Sequence, residues 1–224
     1  MRVSLIAAAC ALAAAAATPA LAGSPDGRIQ VKALATGVLP DGSVERVRTD
    51  AIGLPAGEDT RADDNVTPTL AVEYFLSPSF SIETIAGVTQ HDVVGAGSLA
   101  GTRLISNANV IPATVTAKLH LNPDGAFKPY VGAGPSYFFI FGEDPDVSAR
   151  ALGATRVNLS EELGVAVQAG FDLRLNDRGL GLSVDAKRYF INTTASFFAG
   201  NTLALQTDHE LDPWVISGGV SYRF

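Results

Sequence analysis

Apolar and polar residues alternate with a period of two along most of the chain, most plainly in its last stretch, Leu211 to Phe224. Counting back from Phe224, one register holds Tyr222, Val220, Gly218, Ile216 and Trp214, and the other holds Arg223, Ser221, Gly219, Ser217 and Val215. Such alternation gives a strand two unlike faces. One face is apolar and ends in aromatics, whereas the other is small and polar. A strand with lipid outside and a polar lumen inside has this pattern. On this segment alone, an amphipathic strand closing a soluble sandwich remains the alternative.

Seven further segments repeat the pattern. Arg28 to Leu39 sets Ile29, Val31, Ala33 and Ala35 against Gln30, Lys32, Leu34 and Thr36. Thr67 to Phe75 and Phe80 to Gln90 follow, separated by Leu76-Ser77-Pro78-Ser79, and then Val110 to Leu121, with Val115, Ala117 and Leu119 against Thr114, Thr116, Lys118 and His120. Asn122-Pro123-Asp124-Gly125 is turn chemistry, since Pro presets φ and Gly accepts positive φ. Phe127 to Phe141 is the longest aromatic strand. Ser160 to Leu175 alternates most regularly, Asn176-Asp177-Arg178-Gly179 turns it, and Leu180 to Ile191 returns.

Between these strands Pro40 to Val66, His91 to Asn109 and Asn192 to Glu210 lack a sustained period and are expected to be long loops. After Phe141, Asp144-Pro145 is expected to cap one helical turn reaching Leu152-Gly153. Long and short connections therefore alternate. The expected fold is all-β: an eight-stranded antiparallel up-and-down transmembrane β-barrel with four long external loops and three short periplasmic turns.

The start of the chain adds a compartment. Met1 to Ala22 carries Arg2, an apolar run and the triplet Ala20-Leu21-Ala22, the layout of a secretory signal peptide. Residues 1–22 are expected to be removed, leaving 23–224 as a single barrel domain. Losing Arg2 takes the formal net charge from −7 to −8, and Cys10, the one cysteine, leaves with the segment. An acidic exported chain is a poor nucleic-acid binder. No later stretch approaches ~18 uninterrupted apolar residues, so no helical span is expected.

Several blocks resemble the OmpW family of outer-membrane proteins: Ile111-Pro112-Ala113-Thr114, Phe127 to Gly134, Leu163-Gly164 with Gln168 to Asp172, Thr193-Thr194-Ala195, Leu211-Asp212-Pro213-Trp214 and the terminal Tyr222-Arg223-Phe224. They occur in the same order over most of the mature chain. The resemblance implies a barrel in the outer membrane of a Gram-negative cell that passes small hydrophobic molecules. It implies a narrow apolar pocket open to the outside and sideways release through the wall. It brings no catalytic residues and no cofactor. Outer-membrane lipid, lipopolysaccharide and the barrel-assembly machinery are the expected partners of a monomer. Tyr222 and Phe224 are the expected assembly signal.

The inward registers hold Glu73, Glu83, Lys118, His120, Glu162, Asp172, Arg174, Asp185, Lys187 and Arg223. An eight-stranded barrel has room inside only for side chains or one small ligand. Charges there must pair or take on water, so Glu162, Asp172, Arg174, Asp185, Lys187 and Arg223 are read as a polar plug, ahead of a conduction path. Phe138 and Ile140 interrupt the polar face near the outer end of their strand. They either line a pocket for an apolar molecule or pack beneath the third loop. Tyr130, Tyr137, Trp214 and Tyr222 suit interface anchors or barrel packing.

His91, His120 and His209 show no paired metal spacing, and no metal site is expected. Asp208-His209-Glu210 alone does not make a triad, so an outer-membrane hydrolase ranks below a channel. A structural barrel that binds lipopolysaccharide or phage without transport is the alternative.

Overall fold

A computed structural model describes residues 23–224, and the expected signal segment 1–22 lies outside the described residues. Fifteen strands follow in order: β1 (Ile29–Leu39), β2 (Ser43–Asp50), β3 (Glu58–Ala62), β4 (Asn65–Ser77), β5 (Phe80–Ala86), β6 (Thr89–Gly97), β7 (Arg103–His120), β8 (Phe127–Phe141), β9 (Asp144–Pro145), β10 (Arg156–Leu159), β11 (Glu162–Arg174), β12 (Leu180–Phe190), β13 (Asn192–Ala199), β14 (Thr202–Glu210) and β15 (Trp214–Arg223). One helix, α1 (Val147–Ala151), lies between β9 and β10.

Eight of these strands close a ring, β1-β4-β5-β7-β8-β11-β12-β15, antiparallel throughout. The last strand seals it against the first, from Gln30↔Arg223 to Leu39↔Trp214. Closure leaves no edge in the membrane, where an unpaired backbone group would cost several kcal/mol. No described helix is long and apolar enough to cross a bilayer, so the strands do the crossing.

Burial follows the predicted registers, turned inside out relative to a soluble protein. Val72, Ile82, Leu119, Val131, Leu163, Val165, Ile216 and Val220 point outward and are exposed, while Lys32, Glu73, Lys118 and Lys187 are buried. In water an apolar belt of this extent would drive association. In lipid it is the stabilising surface. Turn chemistry holds the short end: Asn176 Oδ1 accepts from the amides of Arg178 (2.9 Å) and Leu180 (3.1 Å). Gly179 follows at φ +82°, where a side chain would be strained.

The long connections differ from expectation. Pro40 to Val66 contains β2 and β3, and Asn192 to Glu210 is the β13–β14 hairpin. His91 to Asn109 is mostly β6 and β7 running on past the membrane to a turn at residues 98–102. β7 is 18 residues long, against the roughly 9–11 needed to span a bilayer. Bulges explain why alternation failed to mark these strands. Register shifts occur at His91/Val93, Phe197/Phe198 and Asp208/His209, and each flips the faces. Around the third connection, Asp144-Pro145 is a short strand on β7, and the helix cap is Asp146, whose side chain accepts from Val147 N.

Together these elements form a collar above the barrel. β10-β13-β14-β2 make a separate sheet. Val44 N donating to Asp59 Oδ1 (3.0 Å) ties β2 to β3, and Leu159 N donating to Glu143 Oε1 (3.1 Å) holds β10. Ile105, Ala108, Ala149, Val157, Ala195 and Phe197 form its apolar core.

Candidate functional site: a sealed lumen beneath an apolar cavity

Inward residues of successive strands meet at the barrel's centre because antiparallel register stacks them. Glu73 of β4 lies opposite Glu83 of β5, and Glu83 lies opposite Thr116 of β7. Two adjacent carboxylates in a low dielectric require cations. Lys32 Nζ sits 2.7 Å from Glu73, 2.9 Å from Glu83 and 3.3 Å from Asp172. Lys118 Nζ is 2.8 Å from Glu73 and 2.9 Å from Glu83, and Lys187 bridges Glu83 (3.2 Å) and Asp185. Tyr130 completes the layer, with Lys118 Nζ 3.6 Å from its ring centroid and its hydroxyl donating to Asp185 (3.0 Å). Gly170 makes this possible, since a Cβ there would lie 2.6 Å from the Tyr130 hydroxyl.

The six residues named as a plug from sequence separate into three places. Asp172, Asp185 and Lys187 belong to this layer. Arg223 and Arg174 lie at the periplasmic mouth, where Arg223 donates to Gly27 O (2.6 Å). Glu162 stands at the outer end and accepts from Ser160 (2.8 Å). Lys32 was not singled out, although its register with Gln30 and Thr36 placed it inward. Tyr130 is lumen packing and not an interface anchor, whereas Trp214 and Tyr222 face outward.

Glu73, His120 and Asp172 converge closely enough to hold a metal ion. Lys32 already supplies the cation between the two carboxylates, so a metal would have to displace an ammonium. Ser81 and Glu73 both address the same nitrogen of His120, at 2.9 Å each. A nucleophile relay needs the two ring nitrogens to have different partners. The cluster is also closed to solvent.

Above the plug the lumen opens into a cavity of about 130 Å³. Phe138 and Ile140 line it, with Val38, Ile85, Val110 and Val215. Phe138 stands edge-on to Tyr189 at 5.3 Å and packs with Ala166, Ile191 and Val215. Its packing partners are therefore barrel residues. The hydroxyls at the cavity's edge are turned on one another: Thr36 lies 2.6 Å from Thr69 and 2.9 Å from Ser217, and Tyr189 is 3.2 Å from Thr114. They present little unmet polarity to an occupant.

A second apolar cavity of about 90 Å³ lies in the collar, lined by Leu54, Leu99, Leu104, Phe197 and Leu205 among others. Thr60, Val93, Ile105, Ala195 and His209 border both cavities. His209 is held by Thr60 (3.2 Å) and Thr207 (2.7 Å), and its burial pushes the imidazole pKa below the usual value. At neutral pH this junction is therefore uncharged.

A closed eight-stranded barrel with a lipid-facing apolar belt and a polar lumen is an outer-membrane β-barrel. The OmpW family profile matches residues 25–224, and the chain belongs to the OmpW family. It is 28% identical to outer membrane protein W of Vibrio cholerae serotype O1 over 202 residues, covering 89% of each chain. An uncharacterized outer-membrane protein of Sinorhizobium fredii is 29% identical, with 87% of this chain and 79% of that one covered. The crystal structure of OprG from Pseudomonas aeruginosa superposes with a TM-score of 0.80 at 26% identity, over 91% of this chain and 99% of that one. The solid-state NMR structure of AlkL in lipid bilayers shares the fold, with a TM-score of 0.68 at 22% identity, over 91% and 93%.

Proposed function

We propose that the barrel is an outer-membrane channel for small hydrophobic molecules, which reach the upper cavity through the collar and leave sideways into the membrane. The observation that carries this is an apolar cavity placed directly above a plug of buried ion pairs. Apolar cargo that enters cannot cross the charged layer without separating its buried ion pairs and leaving those charges uncompensated. The wall is the cheaper way out. Phe138 and Ile140 are the pocket residues in this reading, and Asp172, Asp185 and Lys187 form the seal.

The wall has a break at Gly87-Val88. The β5–β7 ladder stops at Ile85↔Thr114, and β6–β7 pairing resumes only at Thr89↔Val110. Pro112, which has no N–H to donate, sits in the gap. On the other side the β4–β5 ladder ends at Leu70↔Ala86, and side chains take over: Thr67 Oγ1 donates to Val88 O (2.8 Å) and Asn65 Nδ2 to Gln90 O. Thr67, Thr69 and Gly87 all line the cavity. A window held by two side-chain bonds opens at lower cost than a continuous ladder.

The mature chain has no cysteine, and a Cβ built on Gly87 would stand 3.4 Å from Thr69 Cβ on the same face of the wall, so a Thr69→Cys, Gly87→Cys pair tests the window cleanly. Oxidation is expected to slow uptake of a radiolabelled medium-chain alkane several-fold, and reduction to restore it. Equal uptake in both states, with the crosslink verified, would remove the sideways route.

The barrel acts as a monomer surrounded by outer-membrane phospholipid and lipopolysaccharide, and performs no catalysis. The last strand's outward aromatics present the assembly signal. Tyr222 and Phe224 stand 6.1 Å apart at its end. Deleting Phe224 is expected to reduce the amount of heat-modifiable protein recovered from membranes about tenfold, an order-of-magnitude expectation equal to 1.4 kcal/mol in the partition. Normal recovery would place the signal elsewhere.

A further inference from the structure

At the plug's periplasmic end stand three cations that transport does not use, with Asp26 acting on Lys128 and Arg223, and Asp124 on Lys128, from beyond ion-pair distance. Lys128 of β8, Arg174 of β11 and Arg223 of β15 converge on one small cavity of about 30 Å³, together with Gln30 of β1 and Asp172. Lys128 and Arg223 are each only 8% exposed. No carboxylate oxygen among the described residues lies within 4.0 Å of a nitrogen of any of the three cations. Arg223 spends its Nε on Gly27 O and lies 3.5 Å over the Phe75 ring. Its terminal nitrogens have no acceptor among the described residues.

Asp172 does not neutralise this group. Its Oδ1 faces Lys32 at 3.3 Å and accepts from Ser183. Two buried polar atoms of residues that line the cavity have no partner among the described residues, the donor Gln30 Nε2 and the acceptor Asp172 Oδ2. Buried groups of this kind are nearly always satisfied. A single group that satisfied both would accept from the amide and from the cations while donating one hydrogen bond to the carboxylate.

We infer that the periplasmic mouth binds a protonated phosphate group, either hydrogen phosphate or a phosphate monoester. Its unprotonated oxygens accept from Gln30, Lys128, Arg174 and Arg223, and its P–OH donates to Asp172 Oδ2. The carboxylate gives the site its selectivity. Sulfate matches phosphate in shape but carries no proton at pH 7, so its oxygen would meet Asp172 Oδ2 as one acceptor against another. The cavity holds roughly two or three waters by volume, which suits the edge of a tetrahedral oxyanion whose remainder stays in the periplasm. This assignment is independent of cargo transport.

The test uses the full mature chain folded in maltoside micelles, with ³¹P NMR line broadening on titration of inorganic phosphate. Sulfate at equal ionic strength serves as the competitor. A second arm measures by native mass spectrometry the retention of phosphatidic acid, a monoester, against phosphatidylglycerol, a diester. The expected result is saturable phosphate binding that sulfate does not compete away, weakened about tenfold or more by Lys128→Gln. Lys128 makes no ion pair in the plug, although it lies opposite Asp172 in the β8–β11 ladder, and heat-modifiable mobility verifies that the variant folds. Asp172→Asn is expected to admit sulfate. Saturation by inorganic phosphate assigns free phosphate as a ligand. Retention of phosphatidic acid alone assigns a lipid headgroup. Absence of both, competition by sulfate equal to phosphate, or binding unchanged in Lys128→Gln would overturn the inference, leaving water as the partner of Gln30 and Asp172.

Discussion

Replacing Lys118 with Met is expected to destabilise the folded barrel by about 3–5 kcal/mol, the cost of removing one partner from a buried ion pair. Lys118 lies 2.8 Å from Glu73 and 2.9 Å from Glu83, and its side chain is fully buried. Without it, Lys32 alone must serve both carboxylates, with Lys187 reaching only Glu83. Methionine fills much of the volume, so the loss is chiefly electrostatic. A Glu73→Gln, Lys118→Met double variant removes one charge of each sign and is expected to recover most of the stability. Urea unfolding in lipid vesicles, followed by heat-modifiable mobility, measures both. Near-additive losses in the double variant would show that the two residues do not act as a pair.

The barrel was legible because lipid imposes a rule that survives without an alignment. Every membrane-crossing strand needs one apolar face and one small or polar face, and the registers of β11 and β15 state this residue by residue. The plug's membership was legible in part for the same reason: alternation says which charges face inward, but not which share a level. Lys32, three strands away around the ring from Lys118, meets the same carboxylates only through the β1–β4–β5–β7 stagger. The collar was not legible. Its strands carry bulges, and their outer faces meet water while their inner faces meet a cavity, so no two-residue period persists. Phe138 and Ile140 stood out in the sequence because they interrupt a polar register, and both border the cavity. The collar cavity and His209 at its junction left no comparable signal, because β14 shifts register at that point.

Changing Phe138 and Ile140 together to Asp is expected to abolish protein-dependent uptake of apolar molecules. Both side chains are buried against the cavity. Each carboxylate would bring water into a space whose own hydroxyls are already paired with one another. The loss of even ~3 kcal/mol of cargo affinity lowers occupancy more than a hundredfold. Phe138→Leu, Ile140→Leu keeps the surface apolar and is expected to retain uptake, which separates polarity from shape. Uptake by the folded Asp double variant equal to the native chain would mean that cargo, if any, does not pass this cavity, and would move weight to a structural or lipopolysaccharide-binding role.

The central claim is a barrel open to apolar molecules from outside yet sealed below. It is tested most directly by reconstituting the native chain in planar bilayers and vesicles and measuring two quantities on the same preparation. One is the rate at which an apolar fluorescent tracer enters the bilayer, and the other is ionic conductance. Faster tracer entry with no steady conductance above the bare bilayer is the predicted result. Steady conductance of an open aqueous pore, or tracer entry no faster than without protein, would contradict it.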